Sequence, residues 1–246
     1  MPLASVDHNC RPEKLFANIA RWLVIIEFAC SLQEKGGNLM RKALMSSVAA
    51  LAPLAAISAT ISTAPANNGS GGIFMDLTAL ANPLYVTSFA TPFSGTTGTE
   101  AHVQVWTRAG TYVGFTASSD GWTLLETVTT TRQGTTVNAP IVLANPIALQ
   151  VSQVRAVYLQ CVFPETTGTG IRYTGTAAAP PQTLWENSDI RLFSDTARTG
   201  FVPFGGTSFT PRCFSGDVNY EVVPEPATLA VLAAALGGLA IRRRNR

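Results

Sequence analysis

The sequence predicts an all-β protein: an antiparallel β-sandwich, jelly-roll-like, with an N-terminal leader helix and a single C-terminal transmembrane helix. Three observations predict it. Residues 67–222 are rich in Thr, Val, Gly and aromatics and contain no Lys, a composition of strand and turn formers. Ala101–Arg108 (AHVQVWTR) alternates, with Ala101, Val103 and Val105 on one face and His102, Gln104 and Trp106 on the other, the period-two pattern of a half-buried strand. Turn pairs recur along the segment with no long amphipathic helical pattern between them, so the strands lack the helical crossovers that parallel pairing needs.

The strands follow in chain order. Ile73–Thr78 is the first expected strand, and Leu84–Phe93 (LYVTSFATPF) alternates apolar with small polar positions. Ala101–Arg108, Trp122–Thr131, Pro140–Leu143 and Ile147–Val151 come next, then Arg155–Phe163, Gly170–Thr174, Asp189–Phe193 and Phe214–Val222. Ser94-Gly95, Thr97-Gly98, Ala109-Gly110, Gln133-Gly134, Asn145-Pro146, Thr167-Gly168 and Ser215-Gly216 separate them as turn signals. About 155 residues are enough for one core.

The whole chain carries a formal charge of +2, but residues 67–222 hold seven Arg against ten acids, a balance of −3. The basic character belongs to the ends, which removes the electrostatic footing for nucleic-acid binding. Cys161 and Cys213 are the two cysteines of this segment. In an exported chain they make one candidate disulfide, with roughly 4 kcal/mol of stabilisation if the geometry permits. The alternative is two buried thiols.

The chain ends in three physically different segments: Val223-Pro224-Glu225-Pro226, an uncharged apolar run from Ala227 to Ile241, and Arg242-Arg243-Arg244-Asn245-Arg246. Fifteen apolar residues make a helix of about 22 Å, short against a bilayer core of about 30 Å. Arg242, Arg243, Arg244 and Arg246 resist translocation and hold that end in the cytoplasm. Pro224 and Pro226 keep the preceding stretch extended and open to a processing enzyme. On the physics alone the segment is a plain anchor or a processing signal. Its order of parts resembles the PEP-CTERM sorting signal of Gram-negative bacteria, over about a tenth of the chain. The resemblance implies export, transient anchoring in the inner membrane, cleavage near the motif by an exosortase-type membrane enzyme, and a place at the cell surface or in an exopolysaccharide matrix.

A second export pattern starts at Met40. Arg41 and Lys42 precede an apolar stretch, Ala43–Ile61, followed by Ala64-Pro65-Ala66, a small-x-small site for signal peptidase. Cleavage after Ala66 makes residues 40–66 the signal peptide, 67–222 the mature extracellular domain and 223–246 the sorting signal. Residues 1–39 then read as a mis-called upstream extension. Glu34-Lys35-Gly36-Gly37 fits a purine-rich ribosome-binding sequence ahead of a Met40 start. The alternative is a real helix over Leu15–Leu32, although Arg21 and Glu27 make it a poor membrane span. Cys10 and Cys30 fall in this extension.

The middle of the chain also resembles a module of secreted bacterial proteins that precedes PEP-CTERM tails and has no settled activity. The stretches that carry this are Gly72–Leu77, Val105–Phe115, Trp122–Leu124, Ile171–Thr174, Pro203–Gly205 and Phe209–Arg212. The resemblance supplies no catalytic residues, and cysteine is not expected at positions 161 and 213.

Catalytic signatures are missing. His102 is the lone histidine of residues 67–222, and neither a G-x-S-x-G elbow nor H-E-x-x-H occurs. One His and two Cys do not make a zinc site, and no metal or other cofactor is expected. Glu186-Asn187-Ser188-Asp189 is the one local acidic cluster and reads as a turn before a strand. A pair of carboxylates that meets only in the fold stays open. Trp106, Trp122 and Trp185, with Tyr112 and Tyr173, either fill a β core or stack on sugar rings. Trp106 stands out because it alternates away from Val103 and Val105. The expected function is a non-enzymatic, exported surface or matrix protein with a structural or adhesive role. The alternative is a carbohydrate-binding module for a matrix exopolysaccharide. The expected partners are signal peptidase, an exosortase-type enzyme and an exopolysaccharide, with no nucleic acid.

Overall fold

The computed structural model describes residues 57–69, 71–164 and 169–223, all within one compact unit, Leu54–Ala227. The expected extension 1–39, the leader up to Ala56 and the tail from Pro224 lie outside them. The described part is all-β, as the alternation predicts. Its strands are β1 Ile57–Ser62, β2 Gly72–Ala79, β3 Leu84–Thr91, β4 Phe93–Ser94, β5 Glu100–Ala109, β6 Thr123–Thr131, β7 Ala139–Leu149 and β8 Val154–Cys161. After these come β9 Gly170–Ile171, β10 Tyr173–Thr174, β11 Leu184–Glu186, β12 Ile190–Phe193, β13 Ala197–Arg198, β14 Ser208–Phe209, β15 Cys213–Phe214 and β16 Asp217–Val222.

One sheet runs β1-β16-β3-β7, and a larger one runs β11-β12-β2-β8-β5-β6, with β13 continuing the β12 side of β2 and β14 pairing β13. Two short ribbons, β10-β15 and β4-β9, complete the set. Each of these strand pairings is antiparallel.

The two large sheets share one apolar core. The small sheet sends in Ile61, Val86, Phe89, Ile141, Leu149, Val218 and Tyr220; the large sheet sends in Ile73, Met75, Leu77, Val103, Val105, Val157 and Leu159. Every second residue of β2, β5 and β8 enters this layer, as the pleat requires. Burying each large side chain contributes about 1.5–3 kcal/mol.

The structure revises several expected boundaries. Pro140–Leu143 and Ile147–Val151 merge into β7, where the register to β3 jumps from Ser88↔Val142 to Val86↔Ile147. Asn145-Pro146 therefore forms a bulge rather than a break, which an edge strand tolerates. Glu126 of β6 caps this bulge, its carboxylate accepting from the Ala144 and Asn145 amides at 3.1 Å each. Gly170–Thr174 divides between β9 and β10, and Phe214–Val222 divides between β15 and β16. A strand absent from the expected set, β1, opens the described residues at Ile57, ten residues before Asn67.

Candidate functional site

The outer face of β2, β5 and β8 carries the feature with the shape of a site. The register aligns Trp106 with Tyr158 and Tyr158 with Phe74, so three aromatics cross three strands in one row. Phe74 stacks on Tyr158 at 3.9 Å between centroids, 3° from parallel. The next row holds Gln104, Gln160 and Gly72. A Cβ on Gly72 would sit 2.7 Å from Leu159 O of the neighbouring strand, so the close approach of these strands requires glycine there. Tyr158 donates to Gln160 Oε1, and Gln160 Nε2 donates to Gly200 O.

Two loops cover most of this face. The β5–β6 loop brings Tyr112 and Trp122, and Trp122 Nε1 donates to Phe115 O at 2.8 Å. Arg108 lies over the Phe115 ring, 3.3 Å from its centroid, a cation–π contact. The β13–β14 loop brings Phe204 to within 5.0 Å of Tyr158, 5.2 Å of Trp106 and 5.6 Å of Trp122, centroid to centroid. Phe204 has φ 61°, a left-handed conformation that costs of order 1–3 kcal/mol for such a residue. The loop is pinned two residues on: a Cβ on Gly206 would lie 1.9 Å from Thr199 O.

Where the two loops do not meet, a cleft of about 630 Å³ remains, lined by Gln104, Trp106, Ala117, Ser118, Ser119, Leu124, Pro203, Phe204 and Gly205. Its size is that of a small-molecule site. Trp106 is half-buried, edge-on to Phe204, and donates through Nε1 to Gln104 Oε1 at 3.0 Å. Ser118 and Ser119 add hydroxyls. An aromatic wall beside amide and hydroxyl groups can stack against an apolar ring face and bond a polyol.

The acids converge elsewhere. Asp76 is buried on the outer face of β2, where it accepts from Thr111 Oγ1 at 2.5 Å and from Tyr112 N at 3.0 Å. Tyr112 OH donates to Asp195 Oδ1 at 2.7 Å and accepts from Asp195 N at 2.9 Å. Burial raises the Asp76 carboxyl above its ordinary value, against the two hydrogen bonds and nearby Arg108, while the Asp195 charge raises it further. Burial also raises the Tyr112 hydroxyl. These groups bond one another and fasten the β5–β6 loop to the sheet, and none of them lines the cleft.

The three candidate stacking residues separate. Trp106 lines the cleft. Trp122 does not serve as a platform: it is buried in the aromatic layer against Phe74, Tyr158 and Phe204. Trp185, on edge strand β11, packs against the inter-sheet core. His102 lies on the outer face of β5, 3.8 Å from Glu100. Glu186–Asp189 is a turn, with Asn187 Oδ1 accepting from the Asp189 and Ile190 amides and Glu186 paired to Arg191. Among the described residues no group of three or more His, Cys, Asp and Glu could hold a metal ion.

The structure corrects the candidate disulfide. Cys161 ends β8 of the large sheet and faces the inter-sheet core. Cys213 lies in the β10-β15 ribbon as a buried thiol, pushed up to about 11 by burial. No bridge joins the two residues, and both side chains are buried.

Sequence reasoning did not find Gln104, Ser118, Ser119 and Phe204 as cleft residues. Gln104 shares its face with Trp106, and that was the one available signal. The contact with Phe204 depends on a distant loop.

The two ends of the domain meet. β1 pairs with β16 from Ile57↔Val222 to Ser62↔Asp217, so the chain enters and leaves at one end of the small sheet. Val223 N donates to Pro83 O, and Pro224 follows with no intervening linker. Ala64-Pro65-Ala66 lies within the fold, where Pro65 O accepts from Thr174 Oγ1 at 2.6 Å. Residues 222–244 match the PEP-CTERM protein-sorting motif. No curated protein matches the chain.

Proposed function

We propose that this chain, which carries a PEP-CTERM sorting motif directly after its last strand, is an exported and exosortase-processed protein of the cell surface or extracellular matrix. Its domain, a β-sandwich of jelly-roll type, acts by structure and adhesion rather than by catalysis. The observation that carries the reading is the junction. β16 ends at Val222 and the motif match starts there, so cutting beyond Val223 releases the domain with every strand intact. The tail supports the same route, since its short apolar run and arginine end suit transient anchoring.

Expression in a host with and without its exosortase tests this. The mature chain is expected to lose the residues after the motif only where the enzyme is present. Pro224→Ala with Pro226→Ala is expected to leave a full-length, membrane-bound chain. The same mass in both hosts would sink the reading.

A second reading is favoured by the Trp106 cleft: a carbohydrate-binding module for the matrix polysaccharide. Its wall of Trp106 and Phe204 beside Gln104, Ser118 and Ser119 has the chemistry of sugar recognition. Glycan-array binding that is lost in Trp106→Ala while folding is kept would establish it. Turnover of any polysaccharide by the domain would overturn the non-enzymatic claim.

A further inference from the structure

The folded domain starts earlier than the Ala64-Pro65-Ala66 site allows. β1 pairs with β16 over six residues. Ile61 is buried in the inter-sheet core. Thr60 Oγ1 donates to Asn219 Oδ1 at 2.7 Å, and Ser62 Oγ donates to Asp217 Oδ1 at 2.6 Å. Thr63 continues the seam: its amide donates to Gly216 O, its hydroxyl donates to Phe214 O, and that hydroxyl accepts from Gly216 N. Asn68 then exchanges backbone bonds with Tyr173. The chain is stitched to the domain from Ile57 to Asn68.

A cut after Ala66 would remove this strand, the Ile61 contact and the Thr63 clasp together. It would also leave β16 as an unpaired edge beside the sorting motif, a liability for aggregation.

The sequence offers another site. Met40-Arg41-Lys42 is followed by fourteen uncharged residues from Ala43 to Ala56, within the usual 7–15 of a leader's apolar region. Ala56-Ile57-Ser58 is itself small-x-small. We propose that signal peptidase cuts the Ser58–Ala59 bond and that Ala59–Ala66 stays in the mature protein, with Ala59–Ser62 as the closing edge strand. Water adds across that peptide bond, leaving a carboxylate on Ser58 and an ammonium on Ala59. The new N-terminus emerges at the end of the sheet where the sorting motif begins, because Ala59 pairs with Tyr220.

The inference rests on the export reading. Intact-mass and N-terminal sequencing of the exported chain, expressed at full length, test it. The expected N-terminus is Ala59; an N-terminus after Lys42 but before Ala59 overturns the Ser58–Ala59 bond and supports only the retention of Ile61. An exported chain beginning after Ala59, at Asn67 above all, overturns this inference and leaves the export reading standing. A chain with no leader removed overturns both. Ala66→Gln is expected to leave the N-terminus where it is, and a shift would overturn the inference. Separately, domains 59–223 and 67–223 are expected to differ in melting midpoint by roughly 5 °C or more, and equal midpoints would overturn the role given to the strand.

Discussion

β2, β5 and β8 bury both of their faces, by different means. The inner face meets a second sheet, and its residues are aliphatic: Met75, Leu77, Val103, Val105, Val157 and Leu159. The outer face meets two loops, and its residues are aromatic: Phe74, Tyr158 and half-buried Trp106, sealed by Tyr112, Trp122 and Phe204. A sheet against a sheet gives a continuous dry layer from regular elements. Loops against a sheet leave gaps, and the gap here is the Trp106 cleft. Rings suit the outer face because few residues cover much area and can meet edge-on or stacked. The inner face thus holds the fold together, while the outer face is where a ligand can enter.

The largest expected effect lies inside. Leu159 is fully buried between the sheets, so Leu159→Ala is expected to cost about 2–5 kcal/mol, read as a lower denaturant midpoint. A cost under about 1 kcal/mol would erase the distinction between the faces, since it would mean that the inner layer also collapses freely. Phe204→Ala comes next. Its ring touches Trp106, Trp122 and Tyr158, but its loop can relax into the space left, so about 2 kcal/mol is expected. The specific signature is optical: Trp106 and Trp122 gain exposure, and their fluorescence shifts to the red. A large loss of stability with no shift would place Phe204 with the inner core instead.

The same two faces differ in how far they were legible. Alternation in Ala101–Arg108 gave the inner residues directly, because a strand's period depends on its own backbone. The expected ranges for β2, β5, β8 and β12 fall within a residue or two of the observed ones. The cover on the outer face depends on which distant loop folds over it, and no local pattern encodes that. The alternation singled out Trp106, but nothing local showed that Trp122 would be sealed while Trp106 lines a cleft. β1 was missed for another reason: Ile57–Ser62 (ISATIS) carries no charge and directly continues the uncharged leader pattern, so its alternation was hidden by the segment before it. Cys161 and Cys213 show the limit of counting cysteines, because a bridge needs a specific Cα and Cβ separation that spacing along the chain does not encode.

The smallest expected effect sharpens the contrast through pH. Asp76 interrupts the outer face of β2 with a buried carboxyl, where the inner face has no acid. Burial raises its pKa, and Asp195 adds to the rise, while Thr111, the Tyr112 amide and Arg108 oppose it. The folded state therefore holds this proton more tightly than the unfolded chain, whose carboxyl titrates near 3.9. Asp76 contributes its full stabilisation below that value and loses it as pH rises through the folded pKa. Asp76→Asn removes the titration yet keeps an oxygen for the Tyr112 amide, and its NH₂ can donate to the Thr111 hydroxyl. The stability of the parent minus that of Asp76→Asn should accordingly fall on going from about pH 4 to about pH 7. Urea midpoints of both proteins at those two pH values measure it. A difference that grows with pH would mean that the hydrogen bonds outweigh burial, and that the loop latch holds a carboxylate instead of an acid.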